Sequence, residues 1–285
     1  MEKLIRVLTF VEQNIEHELE GRRLSGIAGL SRYHFHRQFS KAFGIGVRSY
    51  VEQVRLRRAA FRLAFRPEQR ILDIALDSGF ASHEAFGRAF KRVLGQTPSE
   101  FRGAPRWDAW TERTRALAEV RRRYLQATPP TASVRIVQRS AMRVIGLYHR
   151  PQHGSVLSSA RRFIEWRKRH RLSPRTAPTF NVISGDGCEF AFCVGTSRRV
   201  ALESDMFVAA LPGGPSAVLR HIGNEDTLRA TAQWLSVEWL RSSGRARRDG
   251  ALILQRISFF PDVAEREAIT DIILPLGPSP QGRTA

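Results

Sequence analysis

Two stretches of the chain, SRYHFHRQFSKAFG at 31–44 and SHEAFGRAFKRVLG at 82–95, place hydrogen-bond donors and cations at a spacing that recurs. Ser31, Phe35, Arg37, Phe39, Lys41 and Gly44 of the first meet Ser82, Phe86, Arg88, Phe90, Arg92 and Gly95 of the second. Phe35, Phe39 and Phe43 fall on one side of a helix, so Arg32, Tyr33, His36, Arg37 and Lys41 are left to face outward. An outward Arg donates two hydrogen bonds to a guanine edge, His addresses a base or a phosphate, and Tyr packs against a thymine methyl or donates to phosphate. In the second stretch the outward set is His83, Glu84, Arg88, Lys91 and Arg92. Glu84 and Arg88 stand at i and i+4, where they either pair with each other or leave Glu84 to accept from cytosine N4. Gly87 offers no side chain between them, which implies close backbone approach or weak readout.

These residues need helices to position them, and the spacing predicts the same pair of helices twice. Leu4, Val7, Leu8, Val11, Ile15 and Leu19 predict a first helix over Lys3–Leu19, ending near Gly21. A short helix over Leu24–Ala28 leads through Gly29 to Ser31, the expected N-cap of a helix that Gly44 stops. A long helix spans Arg48–Phe65 and ends at Pro67. The second copy then runs through Ile71, Leu72, Ile74 and Ala75, turns at Gly79, is capped by Ser82, buries Phe86, Phe90 and Val93, and stops at Gly95. A connector of this length holds the two outward helices about 27 Å apart along its axis. Successive faces of a DNA major groove recur roughly every 34–36 Å.

The whole chain of 285 residues carries a formal net charge of +19, which favours a polyanionic partner. No apolar run is long enough to span a bilayer, and the acidic N-terminal helix is unlike a signal peptide, so a cytoplasmic protein without a membrane partner is expected. The two cysteines, Cys188 and Cys193, fit a reducing compartment and stand five apart on a strand, pointing to opposite faces. No HExxH spacing, Gly-rich phosphate loop or nucleophile elbow is present, so no catalytic residue, metal or cofactor is assigned. The expected fold is α+β in two domains: an all-α double helix-turn-helix domain over 1–103, a helical linker over 104–133, and an α+β domain of tandem βαββ units over 134–285. The tandem reading rests on VIGLYHR and AVLRHIG, each followed by a helix with IEW or VEW, so that His149 answers His221 and Trp166 answers Trp239.

With IGVRSYVEQVRLRRA and ILDIALDSGFASHEAFGRAFKRVLGQTPSEFR added, the first third resembles AraC/XylS-type transcriptional regulators over about residues 3–103. The resemblance implies sequence-specific binding of double-stranded DNA, base reading from Tyr33, His36 and Arg37, and RNA polymerase as a further partner. LPGGPSAVLRHIG, VEWLRSSG and TDIILPLG resemble the GyrI-like effector-binding domain, which implies a cleft for a small molecule. That family is known for cationic ligands held by a buried glutamate. Here the matching strand reads LILQRISFF and places Gln255 at that position, which shifts the expected effector toward a neutral or anionic one. Trp166, Phe180, Phe190, Trp239 and Gln255 are the expected walls. Two other functions compete for this half of the chain: a small-molecule hydrolase, and a protein-docking module.

Overall fold

The computed structural model describes residues 1–15, 17–125, 134–150, 152, 154–184, 189–248 and 250–277. The chain divides into two compact units, Met1–Gln126 and Ala127–Ala285.

The first unit is all α: α1 (Glu2–Gln13), α2 (Gly21–Ala28), α3 (Arg32–Phe43), α4 (Val47–Phe65), α5 (Ile71–Asp77), α6 (His83–Leu94), α7 (Pro98–Gly103), α8 (Trp107–Arg113) and α9 (Arg115–Tyr124). Helix α1 ends earlier than its apolar stripe predicts. The Asn14 side chain donates to the Phe10 carbonyl at 2.8 Å and its backbone N–H to Val11, so the chain leaves the helix there. Ile15 still joins the core and Leu19 packs against it, from outside the helix. Phe35, Phe39 and Phe43 are buried as expected. In α6 the buried stripe is Phe86, Ala89, Phe90 and Leu94, so Leu94 takes the place expected of Val93. Helix α4 has 19 residues and is thus about 28 Å long.

Residues 107–124, expected as part of a linker, are packed into this unit. Trp107 and Trp110 are buried against Phe61, Phe65 and Phe101, with the Trp107 ring stacked on Phe65. Leu117 and Val120 of α9 enter the core formed by Val7, Leu8, Phe39 and Tyr50. Between them and the next unit, the Pro-rich segment at 127–133 lies outside the described residues.

The second unit is one antiparallel sheet of eight strands. Its strands are β1 (Arg135–Arg139), β2 (Met142–His149), β3 (Thr179–Ile183), β4 (Phe190–Gly195), β5 (Met206–Leu211), β6 (Gly214–Ile222), β7 (Leu252–Ser258) and β8 (Ile269–Pro275). Their order is β1-β6-β8-β7-β3-β4-β2-β5. Helix α10 (Val156–Arg169) follows β2 and α11 (Glu225–Trp234) follows β6. The result is two βαββ repeats, β2-α10-β3-β4 and β6-α11-β7-β8, meeting at β3 and β7. The duplication extends to side chains: His149 Nδ1 lies 3.1 Å from Ser159 Oγ in one repeat, and His221 Nδ1 lies 3.0 Å from Thr231 Oγ1 in the other. Trp166 follows Ser159 by seven residues, whereas Trp239 follows Thr231 by eight. A π-helical turn at Leu235–Trp239 absorbs the extra residue and returns Trp239 to the angular position that Trp166 holds.

The two sheet faces are distinct. Leu219, Leu254 and Ile272 pack under α11, and Ile145, Leu147 and Val194 pack under α10. Val144, Phe180, Cys193, Val218, Ile253 and Ile273 form the opposite face. Strand β3 carries Asn181 at its centre, only 4% exposed, with its Oδ1 accepting from Arg256 Nε at 2.7 Å.

Burial holds the His221 imidazole below its ordinary 6.5, so the folded chain stays neutral there while an unfolded chain takes up a proton. That stability is present above about pH 6.5 and is lost as pH falls below it. Thermal melts from pH 7.5 to 5 are expected to show a falling midpoint, with a shallower fall in His221→Gln. Equal slopes for the two proteins would remove this linkage.

Candidate nucleic-acid interface

Both recognition-type helices are fixed at each end by the residues that the repeat singles out. Ser31 Oγ accepts from the His34 backbone N–H at 3.4 Å and Ser82 Oγ from Ala85 at 3.2 Å. Gly44 and Gly95 close the helices with φ of 68° and 75°, the left-handed region that glycine enters without strain. The turn before α6 is more tightly specified. Gly79 has φ of 81°, and a Cβ there would stand 2.7 Å from Arg55 Nε and 2.9 Å from the Ile15 carbonyl.

That contact belongs to a clamp. Arg55, on α4, donates from Nη2 to the His17 carbonyl at 2.9 Å and from Nε to Ile15 at 3.4 Å, so one side chain ties α4 to the segment between α1 and α2 beneath Gly79. Burial lowers the Arg55 pKa, partly offset by the charge of Glu18. Arg48, Glu52 and Arg55 are spaced i, i+4 and i+7 on α4, and with His36 of α3 and Phe80 they border a groove of about 260 Å³. Arg92 of α6 reaches Glu52 on the same stripe at 2.6 Å. One face of α4 is therefore flanked by α3 through His36 and by α6 through Arg92.

The expected contact residues divide by what they already touch. Arg32, Tyr33, Arg37, Lys41, His83, Glu84, Arg88, Lys91 and Arg92 are all exposed, Tyr33 at 70%. Arg37, Lys41, Arg88 and Lys91 make no side-chain hydrogen bond or ion pair among the described residues, so their donors are uncommitted. His36 is half-buried and leans with Arg32 over Gly21, at 3.6 and 3.7 Å from where a side chain there would begin. Glu84 is turned onto the start of its own helix: its backbone N–H and the Ser82 hydroxyl hold the carboxylate below its usual range, with His83 and Arg88 adding smaller charge effects. Arg92 is engaged by Glu52. Sequence reasoning missed Arg48, Glu52 and Arg55, although their spacing makes a polar stripe within an otherwise Leu- and Ala-rich helix.

Gly87 sits mid-helix on the outward face of α6, and a Cβ there would meet nothing within 4 Å. A glycine in such a place costs roughly 0.5–1 kcal/mol relative to alanine, and nothing in the protein's own packing requires it. Gly87→Ala is expected to raise the denaturant midpoint while weakening binding to duplex DNA. A variant that is more stable and binds equally well would show that no close approach occurs there.

The five expected cleft walls do not line one site. Trp166, Phe190 and Trp239 belong to the helix-covered face. Trp166 is fully buried and donates from Nε1 to the Ala201 carbonyl at 3.2 Å, Phe190 packs edge-on against Phe192, and Trp239 packs on the core under α11. Phe180 and Gln255 are cross-strand partners on the other face, as two-residue alternation along β3 and β7 requires. The Phe180 ring is fully buried, its Cε2 3.3 Å from where a Gly195 side chain would begin, so it is core. Gln255 has Asp271 as its other neighbour, and Asp271 is bound bidentately by Arg220 at 2.8 and 2.9 Å. Cys193 is buried and its thiol is pushed up to about 12, which leaves it protonated and unreactive; Cys188 lies outside the described residues. Among the described residues no helix is long and apolar enough to cross a membrane, and no group of three or more His, Cys, Asp or Glu is placed to hold a metal.

The architecture described so far agrees with two known families. Residues 24–104 match the "Helix-turn-helix domain" family and residues 132–276 match the "GyrI-like small molecule binding domain" family. The chain belongs to the GyrI-like family, with a helix-turn-helix domain at its N-terminal side. Among its relatives, an HTH-type transcriptional regulator of Bacillus subtilis, YbfP, is 34% identical over 97 residues, covering 34% of this chain and 32% of the relative. The right origin-binding protein of Escherichia coli is 36% identical over 106 residues, 36% of each chain. The match thus spans about a third of these relatives' own length. A solved AraC-type regulator from Chromobacterium violaceum is 28% identical, covers 37% of this chain and 93% of its own, and has a TM-score of 0.34.

Proposed function

We propose that the protein is a sequence-specific DNA-binding transcription regulator whose action is tuned by a small molecule held in its second domain. The observation that carries this reading is the duplicated, capped helix whose outward cations, Arg37 and Lys41 in α3 and Arg88 and Lys91 in α6, are uncommitted, with both helices flanking one stripe of α4. Arg37 reads a base edge, assisted by Arg32 and Tyr33. His36, half-buried, reads or positions from the groove side. In α6 Gly87 leaves the backbone open, so Arg88, Lys91 and His83 serve mainly as phosphate contacts, and specificity leans on α3. Glu84 and Arg92 hold their own helix and its neighbour. The partner is double-stranded DNA in the cytoplasm, with RNA polymerase as the further partner of a regulator. The second domain acts as a receptor and not as a catalyst, and its effector is neutral or anionic.

The test is selection of binding sites from random duplexes by the full-length protein, followed by titration of the best site. Arg37→Ala is expected to weaken specific binding by about 1–3 kcal/mol and to relax preference at one base pair. Uniform weakening across all sequences would make Arg37 a phosphate contact, and failure of the wild type to select any sequence would overturn the proposal.

A further inference from the structure

The two repeats of the second domain end their helices on the same backbone turn with different residues. In the first, the Leu172 backbone N–H donates to the Arg167 carbonyl at 2.9 Å, which closes α10 and leaves Arg171 at the position where glycine is usual. Arg171 has φ of 56°, and among the described residues it is the one non-glycine in the left-handed region. The second repeat shows what the fold itself asks for there. Arg171 follows Trp166 by five residues, Gly244 follows Trp239 by five, and Gly244 has φ of 64°. Glycine adopts that conformation without strain, whereas an arginine holds it at a cost in stability. Nothing inside the domain calls for the arginine, because its side chain is exposed and makes no hydrogen bond or ion pair among the described residues.

Other cations are tied to the same corner. Arg198 Nη1 donates to the His170 carbonyl at 3.3 Å, beside the Arg171 backbone. Arg143 Nη1 donates to the carbonyls of Thr196 and Arg198 at 3.0 and 3.1 Å, beside the Arg199 backbone. Arg175 follows on the turn that the Thr176 N–H closes onto the Ser173 carbonyl. Arg171, Arg175, Arg198 and Arg199 are exposed, and the side chains of Arg171, Arg175 and Arg199 have no partner among the described residues. The nearby carboxylates are engaged, Glu203 by Arg162 and Arg169, and Asp205 by Arg162. The end of α10 does not need these charges as caps, since Arg167 and Arg198 already donate to the Leu172 and His170 carbonyls. Like charges gathered on one surface repel each other and favour a polyanion. Phe163 and Trp166 are buried, so α10 offers no ring on which a base could stack. Guanidinium forks without such a platform match phosphate oxygens and carry no base readout.

We infer that Arg171, Arg175, Arg198 and Arg199 form a phosphate-binding surface on the second domain, which takes the backbone of duplex DNA flanking the specific site. This rests on the reading of the first domain as a duplex binder. It gives the second domain a part in DNA affinity and none in sequence choice.

The experiment measures fluorescence anisotropy of the full-length protein on two duplexes, the selected site trimmed to its two major-groove segments and the same site extended by a further helical turn at each end. The extended duplex is expected to bind at least fivefold more tightly, with a salt slope about 2.7 steeper for the three phosphates met by Arg171, Arg175 and Arg199. Arg171→Gly, and separately Arg175→Gln combined with Arg199→Gln, are expected to lose most of that gain while binding the trimmed duplex as the wild type does. Arg171→Gly is also expected to raise the melting midpoint, since it gives the first repeat the glycine of the second. Should it melt lower instead, the paired glutamine variant decides. Arg229→Gln removes an exposed charge from α11 and is expected to change nothing. The same variants should weaken binding to an unrelated duplex of the extended length, an arm that holds whether or not the first domain selects a sequence. Equal affinity of the wild type for the two duplexes, unchanged binding in the variants, or equal loss in Arg229→Gln would overturn the inference. Variant-sensitive binding to phosphatidylserine vesicles with no such effect on duplex DNA would overturn it too, by assigning the surface to a membrane. A wild type that selects no site, while the unrelated duplex responds as expected, fails the regulator reading alone.

Discussion

Raising the salt concentration from 50 to 200 mM lowers the affinity for a specific duplex about 40-fold. Arg32, Arg37, Lys41, Arg88 and Lys91 are the exposed cations of α3 and α6 not engaged in an ion pair, and with Arg32 and Arg37 given to base reading, Lys41, Arg88 and Lys91 are left for phosphates. Three phosphates neutralised give a slope of roughly −2.7 in log affinity against log salt, because each contact releases condensed counterions. Lys41→Ala and Lys91→Ala should each reduce that slope by about one. Glu52→Gln should move it the other way, since it releases Arg92 from its ion pair with α4. Titrations by fluorescence anisotropy at four salt concentrations measure this directly. A flat response would mean that the charge of +19 serves some other surface.

Glu12→Ala destabilises the first unit by about 1.5–3 kcal/mol, the loss of a hydrogen-bonding carboxylate from a buried guanidinium. Arg121 of α9 is 1% exposed, and its Nη1 donates to Glu12 Oε2 of α1 at 2.5 Å. The other oxygen of Glu12 accepts from the Tyr50 hydroxyl of α4 at 2.7 Å. One carboxylate thus joins three helices, and its loss removes an acceptor from a guanidinium and from a phenol. The pair is not required for stability as such. Replacing both ends by apolar residues, Glu12→Leu with Arg121→Met, should recover most of the loss, because the desolvation penalty of two charges disappears with them. Urea unfolding of the three proteins checks the sign and the recovery. An effect of Glu12→Ala below about 0.5 kcal/mol would mean that this carboxylate does not hold the three helices together.

How much of this was legible in the sequence depended on whether a signal was local. Ser31, Ser82, Gly44 and Gly95 announce helix ends through short-range chemistry, and the Phe spacing announces the buried side, so α3 was readable residue by residue and α6 in all but Val93, whose expected place Leu94 takes. Helix α1 was overextended because its apolar stripe continues past Asn14, where a side-chain hydrogen bond overrides periodicity. Strand β3 was invisible: TFNVI has a polar residue at its centre, and only the partner Arg256, 75 residues away, makes it buriable. The clamp of Arg55 under Gly79 and the suture of Arg121 to Glu12 depend on contacts between distant segments, which no local pattern encodes. The cleft residues were scattered for the simplest reason. Chemical type alone proposed Trp166 and Phe180 as neighbours, whereas Trp166 lies on α10 over one face of the sheet and alternation along β3 turns Phe180 to the other.

Central to the account is a single chain that sets two helices into successive turns of one groove, as the 28 Å span of α4 and its shared flank allow. Hydroxyl-radical and methylation-interference mapping of the selected duplex, bound by full-length protein at a one-to-one ratio, tests this most directly. Two major-groove segments centred about one helical turn apart on the same face of the duplex are predicted, the α3 segment losing its pattern in Arg37→Ala. A single protected segment, or two that lie on opposite faces, would contradict it.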